Sequence, residues 1–248
     1  MFAVITGAAS GIGREVALQL AKRGFAVAIS DRDEGGLADT AEAIAAIGGS
    51  VADSRVVDVT DIAAVKLWAD QIVATHGTPD HIHHVAGIAI WGDVRAMPHE
   101  KWQKVIDVNL MGSVHMVEAF APKLMADKPA RGKRKFVFVS SAAGIIGLPW
   151  HAAYSASKGG VYAMTLPIAR DLAQEGVRCN TILPGIMWTP MMAGMDQKIQ
   201  DALAAAIPFP SRLGTPADYA SLVLELARNV YINGECIRLD GAIRLAPR

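Results

Sequence analysis

The segment Phe2–Gly13 reads FAVITGAASGIG and decides the fold. Its first five residues, Phe2–Thr6, are apolar, and Gly7 ends the run, which predicts a short buried β-strand. From Gly11 to Arg23 the apolar residues recur at helical spacing. The chain therefore opens with a strand, a glycine-rich turn and a helix.

The same alternation of short apolar runs and helical stretches continues to the end of the chain. Further strands are predicted at Phe25–Asp31, Ser50–Asp58, Asp80–Ala86, Lys135–Ser141, Val177–Leu183 and Glu235–Asp240. Further helices are predicted at Asp33–Ile47, Asp61–His76, Lys101–Met125 and Ala152–Glu175. This order predicts a parallel sheet with helices on both faces, and right-handed crossovers make it doubly wound. We expect an α/β protein: one Rossmann domain over residues 1–248 with a seven-stranded parallel sheet, and a substrate lid at about residues 186–212.

Composition excludes several classes of protein. Hydrophobic residues make up 52% of the 248 residues, enough for a large core, and the formal net charge is zero, which argues against a nucleic-acid binder. The one dense basic run, Asp127–Lys135, is interpreted as a solvated turn. Cys179 and Cys236 cannot form a disulfide scaffold, and neither a bilayer-spanning run nor a signal peptide is recognised. We expect a cytoplasmic protein without a membrane partner.

The glycine-rich turn is a candidate phosphate-binding site. Its glycines let a pyrophosphate approach the backbone, and the helix behind it offers free N–H groups. A glycine cluster alone also fits a plain turn, but its position after the first strand favours dinucleotide binding. A phosphate-binding loop of the Walker type is excluded because no Gly-Lys-Ser/Thr follows.

Asp31 ends the second predicted strand and is a candidate ligand of an adenosine ribose. Its charge would repel a 2′-phosphate, so NAD is favoured over NADP. Arg32 keeps NADP open as an alternative, and a simple turn residue is the alternative for Asp31 itself. Asp58, at the end of the third predicted strand, is a candidate to contact the edge of the adenine ring.

Tyr154 and Lys158 lie four residues apart on one predicted helix, so their side chains share a face. A free phenol has a pKa near 10, too high for acid–base work at neutral pH. A neighbouring ammonium favours the phenolate, so we expect Lys158 to lower the pKa of Tyr154.

Taken together, the ordered motifs resemble those of the short-chain dehydrogenase/reductase family over nearly the whole chain. The motifs are Thr6-Gly7-x-x-x-Gly11-Ile12-Gly13, Asp58-Val59, Ala86-Gly87, Asn109, Ser141, Tyr154-x-x-x-Lys158, Asn180 and Pro184-Gly185. The resemblance implies that Tyr154 is the acid–base group and Lys158 its activator. It implies that Ser141 hydrogen-bonds the reacting oxygen, and that Asn109 bends its helix and holds a relay water.

The resemblance also implies that Thr189 holds the nicotinamide carboxamide. The full set of expected cofactor contacts is Gly7, Ser10, Gly11, Ile12, Gly13, Asp31, Asp58, Val59, Ala86, Gly87, Tyr154, Lys158, Pro184, Gly185 and Thr189. Ser140 competes for the serine role, but strand alternation points it to the opposite face from Ser141, and the spacing to Tyr154 selects Ser141.

One departure from the family pattern follows the fourth strand, where His84-Val85-Ala86-Gly87 replaces the usual Asn-Asn-Ala-Gly. With His81 and His83, His84 could suggest a metal site. Their buried strand positions and the lack of a nearby acidic or Cys partner argue against it, so no metal is expected.

The loops expected around the substrate are apolar, which favours a hydrophobic substrate over a sugar. Their apolar residues are Trp91, Ile145, Leu148, Trp150, Ile186, Met187, Trp188, Met191, Met192 and Met195. The stretches Ile207–Gly214, Asn233–Arg244 and Ala153–Leu172 resemble the type II 3-hydroxyacyl-CoA dehydrogenases, which implies oxidation of a short or branched 3-hydroxyacyl-CoA with NAD. The alternatives are a bulky apolar secondary alcohol, such as a steroid or cyclic alcohol, a non-catalytic nucleotide-binding protein, and a methyltransferase.

A homotetramer is also expected. The resemblance implies it, and the helices Lys101–Met125 and Ala152–Glu175 carry apolar residues on more than one face, which calls for a second packing partner. Those residues are Val114, Val117, Phe120, Val161, Met164, Leu166 and Ile168.

Overall fold

The structure is a computed structural model and describes residues 1–126, 132–189, 192 and 196–244. Its strands are β1 (Phe2–Thr6), β2 (Ala26–Asp31), β3 (Ser50–Val56), β4 (His81–His84), β5 (Lys135–Val139), β6 (Arg178–Pro184) and β7 (Cys236–Leu239). Among the described residues these strands form one seven-stranded sheet, all parallel, in the order β3-β2-β1-β4-β5-β6-β7. The predicted single Rossmann-like α/β domain is confirmed.

The helices cover both faces of the sheet. They are α1 (Gly11–Ala21), α2 (Glu34–Ala46), α3 (Ile62–His76), α4 (His99–Ile106), α5 (Gly112–Ala126), α6 (Ala143–Ile146), α7 (Ala152–Asp171), α8 (Gln197–Ala205) and α9 (Pro216–Arg228). One core cluster packs around Trp68, Phe120 and Phe136, a second around Leu20 and Tyr219, and a third, smaller one around Ile207 and Leu213. Strand order reverses direction between β1 and β4, so a crevice opens there at the carboxyl ends of the strands.

Three of the strands at this crevice end earlier than the sequence predicts. β3, β4 and β5 each stop two residues short, because Asp58, Ala86 and Ser141 have left the sheet and line the crevice. The predicted third, fourth and fifth strands, which ran to Asp58, Ala86 and Ser141, are corrected accordingly.

The predicted helix Lys101–Met125 is not continuous. It divides into α4, a π-helical segment at Asp107–Met111, and α5. A π-helical turn contains an extra residue and often marks a functional site, and here Asn109 lies at its centre. The helix is therefore irregular at Asn109, and the bend expected there stays a prediction. The predicted helix Ala152–Glu175 ends at Asp171, after which turns lead to Gly176.

The basic run before β5 differs from its predicted solvated turn. Residues 127–131 lie outside the described residues, but Arg134 and Lys135 are buried, with 4% and 1% of their surface exposed. Both side chains have partners inside the protein: Arg134 donates to the carbonyl of Leu124, and Lys135 donates to the carbonyl of Lys133 and contacts Nε2 of His81. The solvated interpretation is wrong for these two residues.

Among the described residues, no helix is both long enough and apolar enough to cross a membrane. Cys179 is buried and Cys236 half-buried, and both are free thiols. Burial raises the pKa of the Cys179 thiol, as expected for a small core residue rather than a redox group.

Candidate active site

A cavity of about 660 Å³ occupies the crevice at the carboxyl ends of the strands. Nearly every predicted site residue lines it: Gly7, Ser10, Gly11, Ile12, Gly13, Asp31, Asp58, Val59, Ala86, Gly87, Ser141, Tyr154, Lys158, Gly185 and Thr189. Two predicted residues lie behind this lining. Pro184 ends β6 and its carbonyl accepts a hydrogen bond from the backbone of Ala142, and Asn109 supports the wall of the cavity.

The glycine turn fits a pyrophosphate group. A Cβ on Gly13 would lie 2.0 Å from the carbonyl oxygen of Gly7, so only glycine lets α1 pack this closely on the turn. Gly7 itself has a φ of 69°, in the left-handed region. Ser10 is the N-cap of α1, yet its side chain makes no capping hydrogen bond, and no acidic residue lies in the first turn. The N–H groups at this helix end therefore face the cavity without a side-chain cap.

Asp31 lines the same cavity as Tyr154, beside the glycine turn. One carboxylate oxygen accepts hydrogen bonds from the backbone of Arg32 and Asp33, at 2.7 and 3.2 Å, and the other from the backbone of Ala9 at 3.1 Å. These bonds fix the carboxylate beside the glycine turn. A fixed carboxylate in this position can accept hydrogen bonds from a ribose.

Arg32 and Asp58 meet across the same end of the cavity, with Nε of Arg32 3.4 Å from a carboxylate oxygen of Asp58. Burial alone would raise the pKa of Asp58, but hydrogen bonds from Thr60 and the charge of Arg32 hold the pKa below its ordinary value. Asp58 is therefore ionised and draws the guanidinium of Arg32 toward β3. Val59, the next residue, is buried and its carbonyl accepts a hydrogen bond from the ring of His115.

Thr6 holds the segment at the end of β4 that departs from the family pattern, His84–Gly87. The Thr6 hydroxyl accepts hydrogen bonds from the backbone N–H groups of Val85 and Ala86, and lies 2.8 Å from Nδ1 of His84. Because these two bonds occupy both lone pairs of the hydroxyl, the hydroxyl donates its one proton to Nδ1. Burial lowers the pKa of His84 to about 3, so the ring is neutral. His84 thus serves as a buried acceptor where relatives of the resembled family carry asparagine.

Asn109 joins the loop after β4 to α7. Its amide accepts a hydrogen bond from the N–H of Ile88 at 2.8 Å and donates to the carbonyl of the same residue at 2.9 Å. The amide nitrogen also donates to the hydroxyl of Ser157 at 3.0 Å. Asn109 is 1% exposed and holds protein groups through its side chain. Its expected role toward a relay water stays a prediction.

The side chains of Tyr154 and Ser141 both line the cavity and lie close enough to influence each other. Burial raises the pKa of Tyr154, and the side chain of Ser141 opposes that rise. The expected lowering by Lys158 is not seen in the chain by itself, because desolvation of the phenol dominates. Ser140 lies elsewhere: it is buried and donates to the carbonyl of Lys158. The choice of Ser141 over Ser140 agrees with this geometry.

Lys158 is buried beneath the same part of the cavity. Its ammonium donates to the carbonyl of Val139 at 2.8 Å and lies 5.9 Å from the centre of the Tyr154 ring. Burial lowers the pKa of Lys158 to about 8. The amine therefore faces the cavity without a direct hydrogen bond to the phenol, in a position to bind a hydroxyl placed between them.

The substrate end of the cavity is apolar, as expected, but it is lined by only some of the apolar residues that the sequence predicts. The apolar residues that line it include Trp91, Leu148, Ile186, Met187 and Met192. Ile145, Trp150 and Trp188 lie outside this lining and are 42%, 67% and 43% exposed. Met191 and Met195 lie outside the described residues.

Two residues that the sequence reasoning missed belong to this site. Ser157 accepts the hydrogen bond of Asn109 and donates to the carbonyl of Tyr154 at 2.8 Å. His151 lines the cavity beside Tyr154, with the two ring centres 6.3 Å apart. The sequence could have indicated them by their positions: Ser157 comes one residue before Lys158, and His151 comes three residues before Tyr154.

Within the described ranges, no group of three or more His, Cys, Asp or Glu side chains could hold a metal ion. His81, His83 and His84 are all buried in β4, as predicted. Burial lowers the pKa of each, to about 3 for His83 and His84.

Comparison with known proteins assigns the class. The family model described as enoyl-(acyl carrier protein) reductase matches residues 7–243. With this match, the sheet order and the Ser141/Tyr154/Lys158 group, the chain belongs to the short-chain dehydrogenase/reductase family, as its motifs predicted, and is an oxidoreductase acting on CH–OH groups.

Two curated relatives and one solved structure are similar to this chain over nearly its whole length. The chain is 40% identical to 3-hydroxyacyl-CoA dehydrogenase type-2 of Homo sapiens over 255 residues, covering 100% of this chain and 96% of the relative. It is 34% identical to (3R)-3-hydroxyacyl-CoA dehydrogenase of Rattus norvegicus over 250 residues, covering 97% and 95%. A crystal structure of a tryptophan variant of actinorhodin polyketide ketoreductase with NADPH is similar with a TM-score of 0.91 at 27% identity, covering 98% of this chain and 96% of that one.

Proposed function

We propose that this protein is an NAD-dependent dehydrogenase that interconverts a short or branched 3-hydroxyacyl-CoA and its 3-oxoacyl-CoA. The relatives named as 3-hydroxyacyl-CoA dehydrogenases are similar along the whole chain, which supports this substrate class. The observation that carries the proposal is the grouping of Ser141, Tyr154 and Lys158 in an apolar cavity that continues to Asp31.

The chemical roles follow from the positions of the side chains. Ser141 and Tyr154 bind the substrate hydroxyl, and Tyr154 takes its proton as the carbinol carbon loses a hydride. A bound nicotinamide ring supplies the hydride acceptor. Lys158 holds the neighbouring ribose. Its ammonium also favours the phenolate form of Tyr154 once it faces the phenol hydroxyl. In the reverse direction, Tyr154 returns the proton to the carbonyl oxygen.

The preference for NAD is supported by the ribose end of the cavity. Asp31 places a carboxylate beside the glycine turn, where a 2′-phosphate would be repelled. Arg32, which could bind such a phosphate, lies 3.4 Å from the carboxylate of Asp58. The contacts proposed for Pro184, Gly185 and Thr189 lie at the nicotinamide end, where Gly185 and Thr189 line the cavity.

A second candidate, a bulky apolar secondary alcohol such as a steroid or cyclic alcohol, is favoured by a specific observation. Arg212, one of the few basic residues near the predicted lid, is bound by both carboxylate oxygens of Asp218, at 2.7 and 2.9 Å. An arginine engaged in this way is less available to bind the phosphates of CoA.

The test is an NADH-formation assay with NAD⁺ and NADP⁺ against 3-hydroxyacyl-CoAs, steroids and cyclic alcohols. The proposal expects the highest kcat/KM for a 3-hydroxyacyl-CoA with NAD⁺. A higher kcat/KM for a steroid or cyclic alcohol would move the assignment to the second candidate. Cofactor binding without turnover across the panel would favour a non-catalytic nucleotide-binding protein.

A homotetramer in a reducing, cytoplasmic compartment completes the proposal. Tyr162 and Leu166 on α7 are 43% and 52% exposed, which supports a subunit contact on this helix, whereas Phe120 and Val161 belong to the core. The two free thiols are compatible with a reducing compartment. Light scattering at micromolar concentration tests the assembly, and a mass equal to one chain would contradict it.

A further inference from the structure

His115 lies half-buried on α5, outside the group of residues that carries the acid–base chemistry. Its Nδ1 atom lies 2.9 Å from the carbonyl oxygen of Val59. A carbonyl oxygen can only accept, so Nδ1 carries a proton and donates it. This hydrogen bond needs no charge on the ring, because a neutral imidazole with its proton on Nδ1 makes it equally. His115 therefore holds Val59 by its backbone, across 56 residues of sequence.

A second residue of α5 contacts Val59 from the same face of the helix. Gly112 lies three residues before His115, and residues at that spacing are neighbours on a helix surface. A Cβ on Gly112 would lie 2.9 Å from Cγ2 of Val59, so α5 can pack this closely only because the position is glycine. The helix thus fixes both the side chain and the carbonyl of Val59.

Val59 forms part of the cavity wall next to Asp58. It is 5% exposed, and in the part of the chain that the structure describes its backbone N–H donates to no other residue. The N–H groups of residues buried to this degree normally have a hydrogen-bond partner. An acceptor atom on a ligand in the cavity would provide that partner.

Asp58 presents the opposite kind of group at the neighbouring position. Its ionised carboxylate lines the cavity and only accepts hydrogen bonds. The edge of an adenine ring has an amino group that donates and, beside it, a ring nitrogen that accepts, which matches a carboxylate followed by an N–H. Hypoxanthine has the reverse pattern, a carbonyl oxygen that accepts beside an N–H that donates.

We propose that His115 is a positioning residue that makes the cofactor site selective for adenine. It acts through Val59: by holding the carbonyl of Val59 against α5, it keeps the N–H of Val59 beside the carboxylate of Asp58. The inference rests on the proposed function, because it requires a dinucleotide cofactor in the cavity. Without the Nδ1–H of His115, the backbone of Val59 can turn, and the match to the adenine edge is lost.

The test compares the binding of two reduced cofactors, NADH and reduced nicotinamide hypoxanthine dinucleotide, by fluorescence titration. The ratio of their Kd values is measured in the wild type, His115→Phe and His115→Asn. Phenylalanine keeps a ring but has no N–H, whereas asparagine places an amide N–H near the position of Nδ1. We expect the wild type to prefer NADH, this preference to fall by roughly tenfold in His115→Phe, the size of one hydrogen bond, and to return in His115→Asn. His99→Phe, on an exposed residue outside the cavity lining, should keep the wild-type ratio.

Steady-state kinetics separate this role from a general loss of structure. In His115→Phe the KM for NAD⁺ should rise, while kcat with saturating NAD⁺ and 3-hydroxybutyryl-CoA stays near that of the wild type, because the acid–base group is unchanged. A wild type without a preference for NADH, a His115→Phe ratio equal to that of the wild type, or a loss that His115→Asn does not restore would overturn the inference and leave the proposed function standing. A wild type that prefers NADH but does not oxidise 3-hydroxybutyryl-CoA would overturn the proposed function alone.

Discussion

The amide nitrogen of Asn109 donates a hydrogen bond to the hydroxyl of Ser157 at 3.0 Å, and Ser157 donates to the carbonyl of Tyr154 at 2.8 Å. Asn109 lies in the π-helical segment, and the other two residues lie in the first turns of α7. The same amide exchanges two hydrogen bonds with the backbone of Ile88. Asn109 therefore couples the cavity wall after β4 to the helix that carries the acid–base tyrosine.

Replacing Asn109 tests this coupling. Asn109→Ala leaves the buried hydroxyl of Ser157 and the half-buried N–H and C=O of Ile88 without their shared partner, so we expect the free energy of unfolding to fall by about 1–3 kcal/mol. We also expect kcat to fall, because the first turn of α7 loses a support. Urea unfolding and steady-state kinetics measure both. Asn229→Ala, on an exposed residue after α9, is the control, and an Asn109→Ala enzyme with wild-type kcat would contradict the coupling.

Much of this site could be predicted because it depends on local patterns. The turn at Gly7–Gly13 requires residues without a Cβ, and Tyr154 and Lys158 lie one helical turn apart, so sequence spacing alone places them. The strand order follows from the alternation of strands and helices together with the handedness of crossovers.

What could not be predicted depends on contacts between distant segments. The π-helical turn at Asn109 is stabilised by Ile88 and Ser157, neither of which a helical period reveals. The burial of Arg134 and Lys135 requires carbonyls and a histidine ring supplied by other segments. The pKa of Tyr154 depends on desolvation, and burial cannot be read from the spacing to Lys158.

His83 should make the protein sensitive to acid. Both ring nitrogens are buried and have no hydrogen-bond partner among the described residues, and burial lowers the pKa to about 3. Unfolded histidine has a pKa near 6.5, so the unfolded chain binds one more proton between about pH 6.5 and about pH 3. Stability contributed by the neutral ring is therefore lost as pH falls through this window.

His83→Leu should reduce that loss. The variant removes the extra proton bound by the unfolded chain, so the urea midpoint should fall less between about pH 7 and about pH 4 than in the wild type. His99→Leu, on an exposed residue, should behave like the wild type. An equal acid sensitivity in His83→Leu and the wild type would rule out His83 as a source.

Lys135 should make the free energy of unfolding depend on pH in the alkaline range. Burial, with the charge of Arg178, lowers the pKa of Lys135 to about 7. An unfolded lysine titrates near 10.4, so the unfolded chain binds one more proton between about pH 7 and about pH 10. Stability should rise with pH across this window.

Lys135→Met should flatten this rise in a series of urea unfolding curves, because methionine keeps an unbranched apolar chain but has no charge. Lys133→Met, two residues earlier and exposed, is the matched control and should keep the wild-type slope. A Lys135→Met slope equal to that of the wild type would place the pH dependence elsewhere.

Asp31 should set the coenzyme preference. In Asp31→Ser the carboxylate that repels a 2′-phosphate is removed, so the ratio of kcat/KM for NADP⁺ to that for NAD⁺ should rise by roughly tenfold or more. Asp33→Ser, at the N-cap of α2 and outside the cavity lining, is the control. If Asp31→Ser kept the wild-type ratio, we would assign the discrimination between NAD⁺ and NADP⁺ to Arg32 and Asp58.

The central claim is that Tyr154 transfers the proton in an NAD-dependent oxidation, and Tyr154→Phe tests it most directly. NADH formation is measured with saturating NAD⁺ and a 3-hydroxyacyl-CoA in the wild type and the variant, and NADH binding is titrated by fluorescence in both. The phenyl ring preserves the packing against His151, but the transferable proton is gone. The account predicts a fall in kcat of about 10²–10⁴-fold with NADH binding nearly unchanged. A Tyr154→Phe enzyme that binds NADH and retains most of the wild-type kcat would contradict it.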